Sequence, residues 1–500
     1  MRRATEAFRA LAARPAFHGA AFLVLAVAIV FAHMGESHLA NFDDCYYAQK
    51  AKEMVQGGQW LTPHFQGVPR FDNAPLFLWL MALSFSVFGL TDWAAILFSA
   101  LSGVAGVWLV RRVALRLGAD AFTAWAATFI LLTTQYFLKY ARHAMFDVFL
   151  TMLFLVAIDR YLAWRAGGRL RDWAWIGFVA GCGVLTKSVL GLFPLATVVL
   201  HLLLTGSPRA PRSRGPRALR EPGPWLALAV CGLTFLPWYV TQAIAAPDRF
   251  FAEHVRWLLW ERAFVLAPEA KTAASYFGYV VELARTYWPW LPFALVGAWL
   301  SARDVQRGPG ADRDRALLLF VWFAVVVGTM SLATEKKLWY VMSAFPCLAL
   351  FAARAAAGWI RTDAGRGRAI AGGFAFLAVL AAVLNWSPLR AGLSRRPELT
   401  AMARVARTAV PAGTTVWNLD QDYWGTNNQF LYYSDRSLSE PLGDPARLRA
   451  ELAGGGFALL TTGDYARVTA GAAGDGRVSI VARSGPWVLV RGDSVVATPR

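Results

Sequence analysis

Charge is scarce in this chain of 500 residues: Asp, Glu, Lys and Arg together make up 16% of it, against 57% hydrophobic residues. A soluble globule draws on about 25% charged residues to cover its surface, so the composition excludes one and implies a polytopic membrane protein. Cysteine is scarce as well, with four in all. Cys182, Cys231 and Cys347 lie in apolar runs and Cys45 stands alone in a polar stretch, which leaves neither a disulfide framework nor a zinc-ligand spacing. There is no internal repeat, and no low-complexity tract beyond one loop rich in arginine and proline. The net charge of +18 resides in short arginine loops between apolar runs rather than on a continuous basic face, which argues against nucleic acid as a partner.

What is present is a series of apolar runs. The first, about residues 17 to 34, follows MRRATEAFRALAAR without a clear small-x-small cleavage site and reads as an uncleaved span with a cytoplasmic N-terminus. The stretch from Pro75 to Leu90 is short for a bilayer crossing. If it does not cross, the loops carrying Arg111, Arg112 and Arg116, then Arg165, Arg169 and Arg171, and the loop 206–223 all fall on the cytoplasmic side, as the positive-inside rule requires. Residues 244–286 and 397–500, balanced in sign, then fall outside with the lysines. This gives about eleven crossings, or thirteen if Pro75–Leu90 and a neighbour form a crossing pair.

The stretch 41–80, NFDDCYYAQKAKEMVQGGQWLTPHFQGVPRFDNAPLFLWL, is too polar to continue the first span. Tyr47, Ala51, Met54 and Val55 share one helical stripe while Lys50, Lys52 and Glu53 share the other, and Gly57-Gly58 stop the turn. That pattern predicts an amphipathic helix along the bilayer surface. Asp43 and Asp44 open it, where free backbone N–H groups favour ionised carboxylates. Two acids there would equally serve only to cap the helix. Asp147 likewise opens a span in KYARHAMFDVFL, preceded by Lys139, Arg142 and His143. It reads either as a dipole partner beside an arginine or as a functional intramembrane acid.

The pattern DDxYYAxxAxEMxxxGxWxxPxxxGxxxFDNxP resembles the first periplasmic loop of the polyprenyl-phosphate-sugar-dependent membrane glycosyltransferases. That family includes the lipid A aminoarabinose transferase and the protein O-mannosyltransferases. The segments LTKSVLGLFP and TEKKLWYVMSAFP are similar to further stretches of it, and the resemblance covers about residues 15–390. It implies a mostly α fold of GT-C type, a polytopic helical bundle of about 11 to 13 transmembrane helices with periplasmic amphipathic helices. After Trp386 charges and turn residues return, and TTVWNL, GFALL, VSIV and WVLV read as short strands of a small C-terminal α/β domain. The membrane domain would occupy 1–390 with an outer catalytic loop at 36–75, and the soluble domain 391–500. The implied place is the bacterial inner membrane, with the C-terminal domain in the periplasm.

The activity implied is transfer of a sugar from a polyprenyl-phosphate donor to a lipid, glycan or protein acceptor, with membrane lipid as a further partner. Asp43 would be the general base, Asp44 would orient the helix or the acceptor, and Asp147 would work with them. Family members near the aminoarabinose transferase carry an arginine where this chain has Tyr46 and a lysine where it has Asn73. The donor phosphate would instead meet Lys187, Lys336, Lys337, Arg142 or Arg262. Tyr47, Asp72, His143, His254, Glu261 and Tyr340 would line the cavity. Paired carboxylates beside a phosphate also suit Mg²⁺ or Mn²⁺ at Asp43, Asp44 and Asp147, a point on which the family is divided. Other readings of the scaffold are an oligosaccharide ligase, a flippase, or a non-catalytic lipid-binding relative. In the C-terminal domain, DQDYWGTNNQF reads either as a sugar-binding segment or as a surface turn.

Overall fold

The computed structural model describes residues 15–34, 39, 42–206, 215–265, 277–333, 336–386, 396–420, 423–470 and 478–493. Residues 207–214 of the loop 206–223, with the arginines Arg209, Arg212 and Arg214, lie outside these. The first half builds the bundle from α1 (Pro15–Val30), α2 (Phe42–Gly57), α3 (Leu76–Phe88), α4 (Asp92–Arg116), α5 (Ala121–Thr133), α6 (Gln135–Ala141), α7 (Asp147–Arg165), α8 (Arg171–Lys187), α9 (Phe193–Thr205) and α10 (Pro222–Ala245). Beyond a π-helical segment, Phe251–Val265, come α11 (Leu291–Gln306), α12 (Phe345–Trp359) and α13 (Asp363–Trp386).

Among the described residues, six helical stretches are long and apolar enough to cross a membrane, and the bent pair α5–α6 brings the number to seven. The remaining apolar helices are shorter. α3 has 13 residues, about 20 Å at 1.5 Å per residue, against a hydrocarbon core of about 30 Å. Two breaks shape the bundle. α5 and α6 meet at 66° around Thr134, whose hydroxyl donates to the Ile130 carbonyl at 2.7 Å. At the end of α8 the chain turns over: Lys187 (φ −144°, ψ 43°) and Ser188 (φ 46°, ψ −125°) leave helical geometry. Gly191 then packs onto Gly183 and Val184, where an added Cβ would lie 2.0 Å from the Val184 nitrogen. Only glycine fits there, and the fold-back leaves Lys187 at a partly buried helix end.

The helix predicted along the bilayer surface is a different object. In α2, Lys50 is 0% exposed and Lys52 3%, alongside buried Ala48, Ala51 and Met54. The sequence pattern put both lysines on a solvated face. The structure covers that face with the outer loop on one side and the C-terminal domain on the other, so each ammonium is held by protein acceptors instead of water.

The C-terminal domain consists of α14 (Pro397–Ala409), α15 (Tyr423–Ser434), two further short helices and a five-stranded sheet. Its strands, numbered after a two-residue hairpin (β1 His64–Phe65, β2 Val68–Pro69), are β3 (Val416–Asn418), β4 (Leu438–Pro441), β5 (Phe457–Thr461), β6 (Val478–Ser484) and β7 (Trp487–Gly492). The order is β4-β3-β5-β7-β6, with β3 parallel to both neighbours and β7 antiparallel to both of its own. Side chains alternate as a pleated sheet demands. Ala458, Leu460, Val488 and Val490 face a small core inside the domain. Phe457, Leu459, Trp487 and Leu489 face α14 and α15 in a core continuous with the bundle. Helix α15 falls where the sequence suggested a turn or a sugar-binding segment. Its Thr426, Asn427, Asn428 and Gln429 are buried, with Gln429 donating to Thr400 at 2.9 Å and Asn427 accepting from the Leu438 amide at 3.3 Å.

Candidate active site

Three helix ends supply the site. Asp43 and Asp44 sit in the first turn of α2, Asp147 in the first turn of α7, and Lys187 at the last residue of α8. Asp44, 1% exposed, lies 2.7 Å from His143 Nδ1 through its Oδ2. Asp147, 2% exposed, accepts from the Lys187 ammonium at 2.5 Å through Oδ1. Its Oδ2 is buried with no hydrogen-bond partner among the described residues.

Aromatic rings join the two acid centres. The Lys187 ammonium stands 4.4 Å from the Tyr340 ring centroid and 5.0 Å from that of Phe146. Phe146 packs 4.8 Å from Tyr47. Burial first, then the charges of Asp43 and Asp147, push the Tyr47 hydroxyl well above the usual phenol range. Asp43 and Asp147 therefore both act on the Tyr47 hydroxyl. Tyr140 packs 5.7 Å from the His143 ring that faces Asp44.

A second cluster lies one turn further along α2. Tyr46 donates to Asp72 Oδ2 at 2.8 Å, and Lys50 donates to Asp72 Oδ1 at 2.5 Å and to Asn73 Oδ1 at 2.9 Å. The Lys50 ammonium also lies 4.1 Å from the Tyr46 ring centroid. Burial alone would raise the Asp72 carboxyl, but Lys50, Tyr46 and Arg70 more than offset it and hold it below the ordinary carboxylate range.

The profile of the dolichyl-phosphate-mannose-protein mannosyltransferase family matches residues 72–240. An undecaprenyl phosphate-alpha-4-amino-4-deoxy-L-arabinose arabinosyl transferase of Pseudomonas fluorescens is 27% identical over 65% of this chain and 55% of its own. A protein of the same description from Erwinia tasmaniensis is 27% identical over 62% of this chain and 54% of its own. The chain spans about half the length of the curated relatives it matches. Among solved structures, ArnT from Cupriavidus metallidurans, bound to undecaprenyl phosphate, superposes with a TM-score of 0.74 at 16% identity, over 96% of this chain and 98% of that one. The chain shares the GT-C fold of that structure and is similar in sequence, over part of its length, to polyprenyl-phosphate-sugar glycosyltransferases. The fold extends to an oligosaccharyltransferase of Archaeoglobus fulgidus, at a TM-score of 0.53 and 13% identity over 91% of this chain and 70% of that one.

Within the GT-C frame, the residues named from the sequence divide into three groups. Asp43, Asp44, His143, Asp147, Lys187, Tyr47 and Tyr340 surround the acid centres described above. Tyr46, Asp72 and Asn73 form the adjoining cluster with Lys50, which the sequence reading had left on a solvated face. The sign of Lys50 was its spacing: four residues after Tyr46, it shares that residue's helical face.

The third group is engaged elsewhere. Arg142 donates to the Ala32 carbonyl at 2.5 Å, and Lys336 to the Ala333 carbonyl at 2.6 Å. Lys337 is exposed, 5.9 Å from the Trp339 ring. Glu261 pairs with Arg256 at 2.8 Å, and the Arg262 side chain lies outside the described residues. His254 is fully buried, with Nδ1 2.6 Å from the Phe71 carbonyl and Nε2 3.0 Å from the Tyr239 hydroxyl. It ties the loop after β2 to the π-helical segment, and Glu253 beside it accepts from the Phe71 amide at 2.9 Å. Glu53 holds the hairpin tip, accepting from the amides of Gln66 at 2.8 Å and Gly67 at 3.1 Å. Both tip residues have positive φ, 55° and 72°, as a two-residue hairpin turn requires.

The described residues gather no group of three metal-ligating side chains. A divalent cation would have to meet Asp147 through Oδ2, since Oδ1 is held by the Lys187 ammonium.

Proposed function

We propose that this protein is an inner-membrane glycosyltransferase that moves a sugar from a polyprenyl-phosphate donor to an envelope acceptor on the outer face of the membrane. The observation that carries the reading is the pairing of Asp44 with His143 and of Asp147 with the Lys187 ammonium at neighbouring helix ends, joined through Phe146 and Tyr47. An acceptor hydroxyl or amine attacks the anomeric carbon as the bond from that carbon to the phosphate oxygen breaks. Asp43, the half-exposed acid of the pair, takes the proton. Asp44, fixed by His143, orients the helix end or the acceptor, and Asp147 sets the Lys187 ammonium.

The leaving phosphate carries off the electron pair, and its charge is met by cations. Stabilising developing charge in a dry site is usually the largest catalytic contribution. Lys187 is the nearest candidate, with Lys336 and Lys337 on the segment leading into Tyr340. A single displacement inverts the anomeric centre and leaves no covalent enzyme intermediate. Similarity to the undecaprenyl-phosphate aminoarabinose transferases makes that lipid-linked sugar the first donor to try, with lipid A, other envelope glycans and protein as acceptors.

The test is sugar transfer by purified protein in liposomes, with a panel of polyprenyl-phosphate sugars and envelope lipid extract. Asp43→Asn is expected to lower transfer by about 10²- to 10⁴-fold, the usual contribution of a positioned base, while donor binding survives. Wild-type protein that binds donor and transfers nothing would overturn the reading. Transfer of an oligosaccharide block in place of a single sugar would make it a ligase.

A further inference from the structure

The C-terminal domain touches the bundle at the acid-bearing helix, and the polar contacts there come from residues 432–435. The Tyr433 hydroxyl, at the end of α15, accepts from the Leu39 amide at 2.8 Å and donates to Asp92 Oδ2 at 2.9 Å. Next to it, the Tyr432 carbonyl accepts from the Lys52 ammonium at 2.8 Å, and Lys52 also pairs with Asp435. Leu39 precedes the Asp43–Asp44 pair and Lys52 follows it on the same helix. Both flanks of the acid pair are therefore tied to residues 432–435. Asp92 stands in the first turn of α4, whose start is capped by the Thr91 side chain, so the same hydroxyl also reaches a membrane helix.

The seam is dry, with Leu39 1%, Lys52 3% and Tyr433 8% exposed. Docking of the domain does not depend on these polar contacts. Leu399, Met402, Phe430, Leu459 and Leu489 already join the bundle core, and apolar burial supplies attachment without direction. Hydrogen bonds are directional, and a neutral one adds little net stability. What they fix here is where the first turn of α2 sits relative to Asp147 and Lys187.

We propose that Tyr433 is a positioning residue for sugar transfer: its hydroxyl bridges the α2 entry and α4, and so holds the two acids at their working distance from the Asp147–Lys187 pair. The inference rests on the glycosyltransferase reading above. A reacting group displaced by about 1 Å can lose about 10²-fold in rate, so a single buried hydroxyl suffices to matter.

The test uses the full chain in liposomes and compares wild type, Tyr433→Phe and Asp43→Asn. Tyr433→Phe keeps the ring and removes the bridge. The expected result is a kcat lower by about 10- to 100-fold, a donor KM within about twofold and a thermal midpoint within about 2 °C of wild type. A kcat within twofold of wild type, or kcat and thermal midpoint falling together, overturns the positioning role. If Asp43→Asn is inactive while Tyr433→Phe is fully active, only the positioning role fails and the glycosyltransferase reading stands. Amide hydrogen exchange in peptides covering 39–48 gives a readout that needs no substrate. Faster exchange there in Tyr433→Phe, with exchange in α14 unchanged, is expected, and unchanged exchange at 39–48 overturns the proposal.

Discussion

Helix α7 carries two buried aspartates that the fold treats in opposite ways. Asp159 is 2% exposed and receives guanidinium nitrogens from Arg112, Arg116 and Arg160, at 3.1, 2.6 and 2.5 Å. Asp147 is equally buried yet has one cation, Lys187, and a second oxygen without a partner among the described residues. The two stand about 18 Å apart along the axis, at 1.5 Å per residue. A buried charge with more donors than it needs is a fastening between helices. A buried charge with one donor and an open oxygen is kept for something that arrives. The cations differ to match: arginine forks lock carboxylates in fixed geometry, whereas a lysine is a mobile point charge able to turn toward a phosphate.

The largest contrast is expected from neutralising each acid in turn. Asp147→Asn should lower transfer by about 10²- to 10³-fold while yield and thermal midpoint stay near wild type. Asp159→Asn should leave the specific activity of folded protein within about threefold. Its stability should fall by about 1–3 kcal/mol, below the 3–5 typical of a fully buried pair because the arginines are partly exposed. Unfolding and transfer assays on the same preparations separate the two outcomes, and an inactive, normally folded Asp159→Asn would erase the distinction.

Next in size, Lys187→Met should cost about 10²-fold in kcat through loss of the charge facing the leaving group. Lys187→Arg should recover part of that, because it restores charge but not a compact ammonium. Full activity in Lys187→Met would move phosphate stabilisation to Lys336 and Lys337.

The smallest effect concerns pH. Arginine pairs do not titrate between pH 5 and 8, whereas an imidazole in the unfolded chain does. Burial holds the His254 imidazole below the ordinary value of about 6.5, so the unfolded chain takes up a proton more readily than the folded one. Its contribution is complete above about pH 6.5 and is lost as the pH falls below that. The thermal midpoint of wild type should therefore drop further between pH 7.5 and pH 5 than that of His254→Gln. Equal drops would show that the contact with Phe71 adds no pH sensitivity.

Much of the bundle was legible along the chain because apolar runs and turn residues act over a few residues. The two acidic helix starts, the lysine at the end of α8 and most of the C-terminal strands were found that way. α15 was missed because its polar run, Thr426 to Gln429, looks like a turn until the domain supplies partners for those side chains. Lys50 and Lys52 were misplaced for the same reason. A helical stripe shows which residues share a face, not whether that face meets water or another part of the protein.

The sequence by itself determined a membrane bundle with acids at two helix starts and a soluble domain after it, since hydropathy and helix-end chemistry are local properties. Only the tertiary structure decided the partnerships: Asp44 with His143, Asp147 with Lys187, Lys50 with Asp72, and Tyr433 with Leu39 and Asp92. A hydrogen bond needs its atoms within about 3 Å, and between residues far apart in sequence that proximity comes only from packing the whole chain.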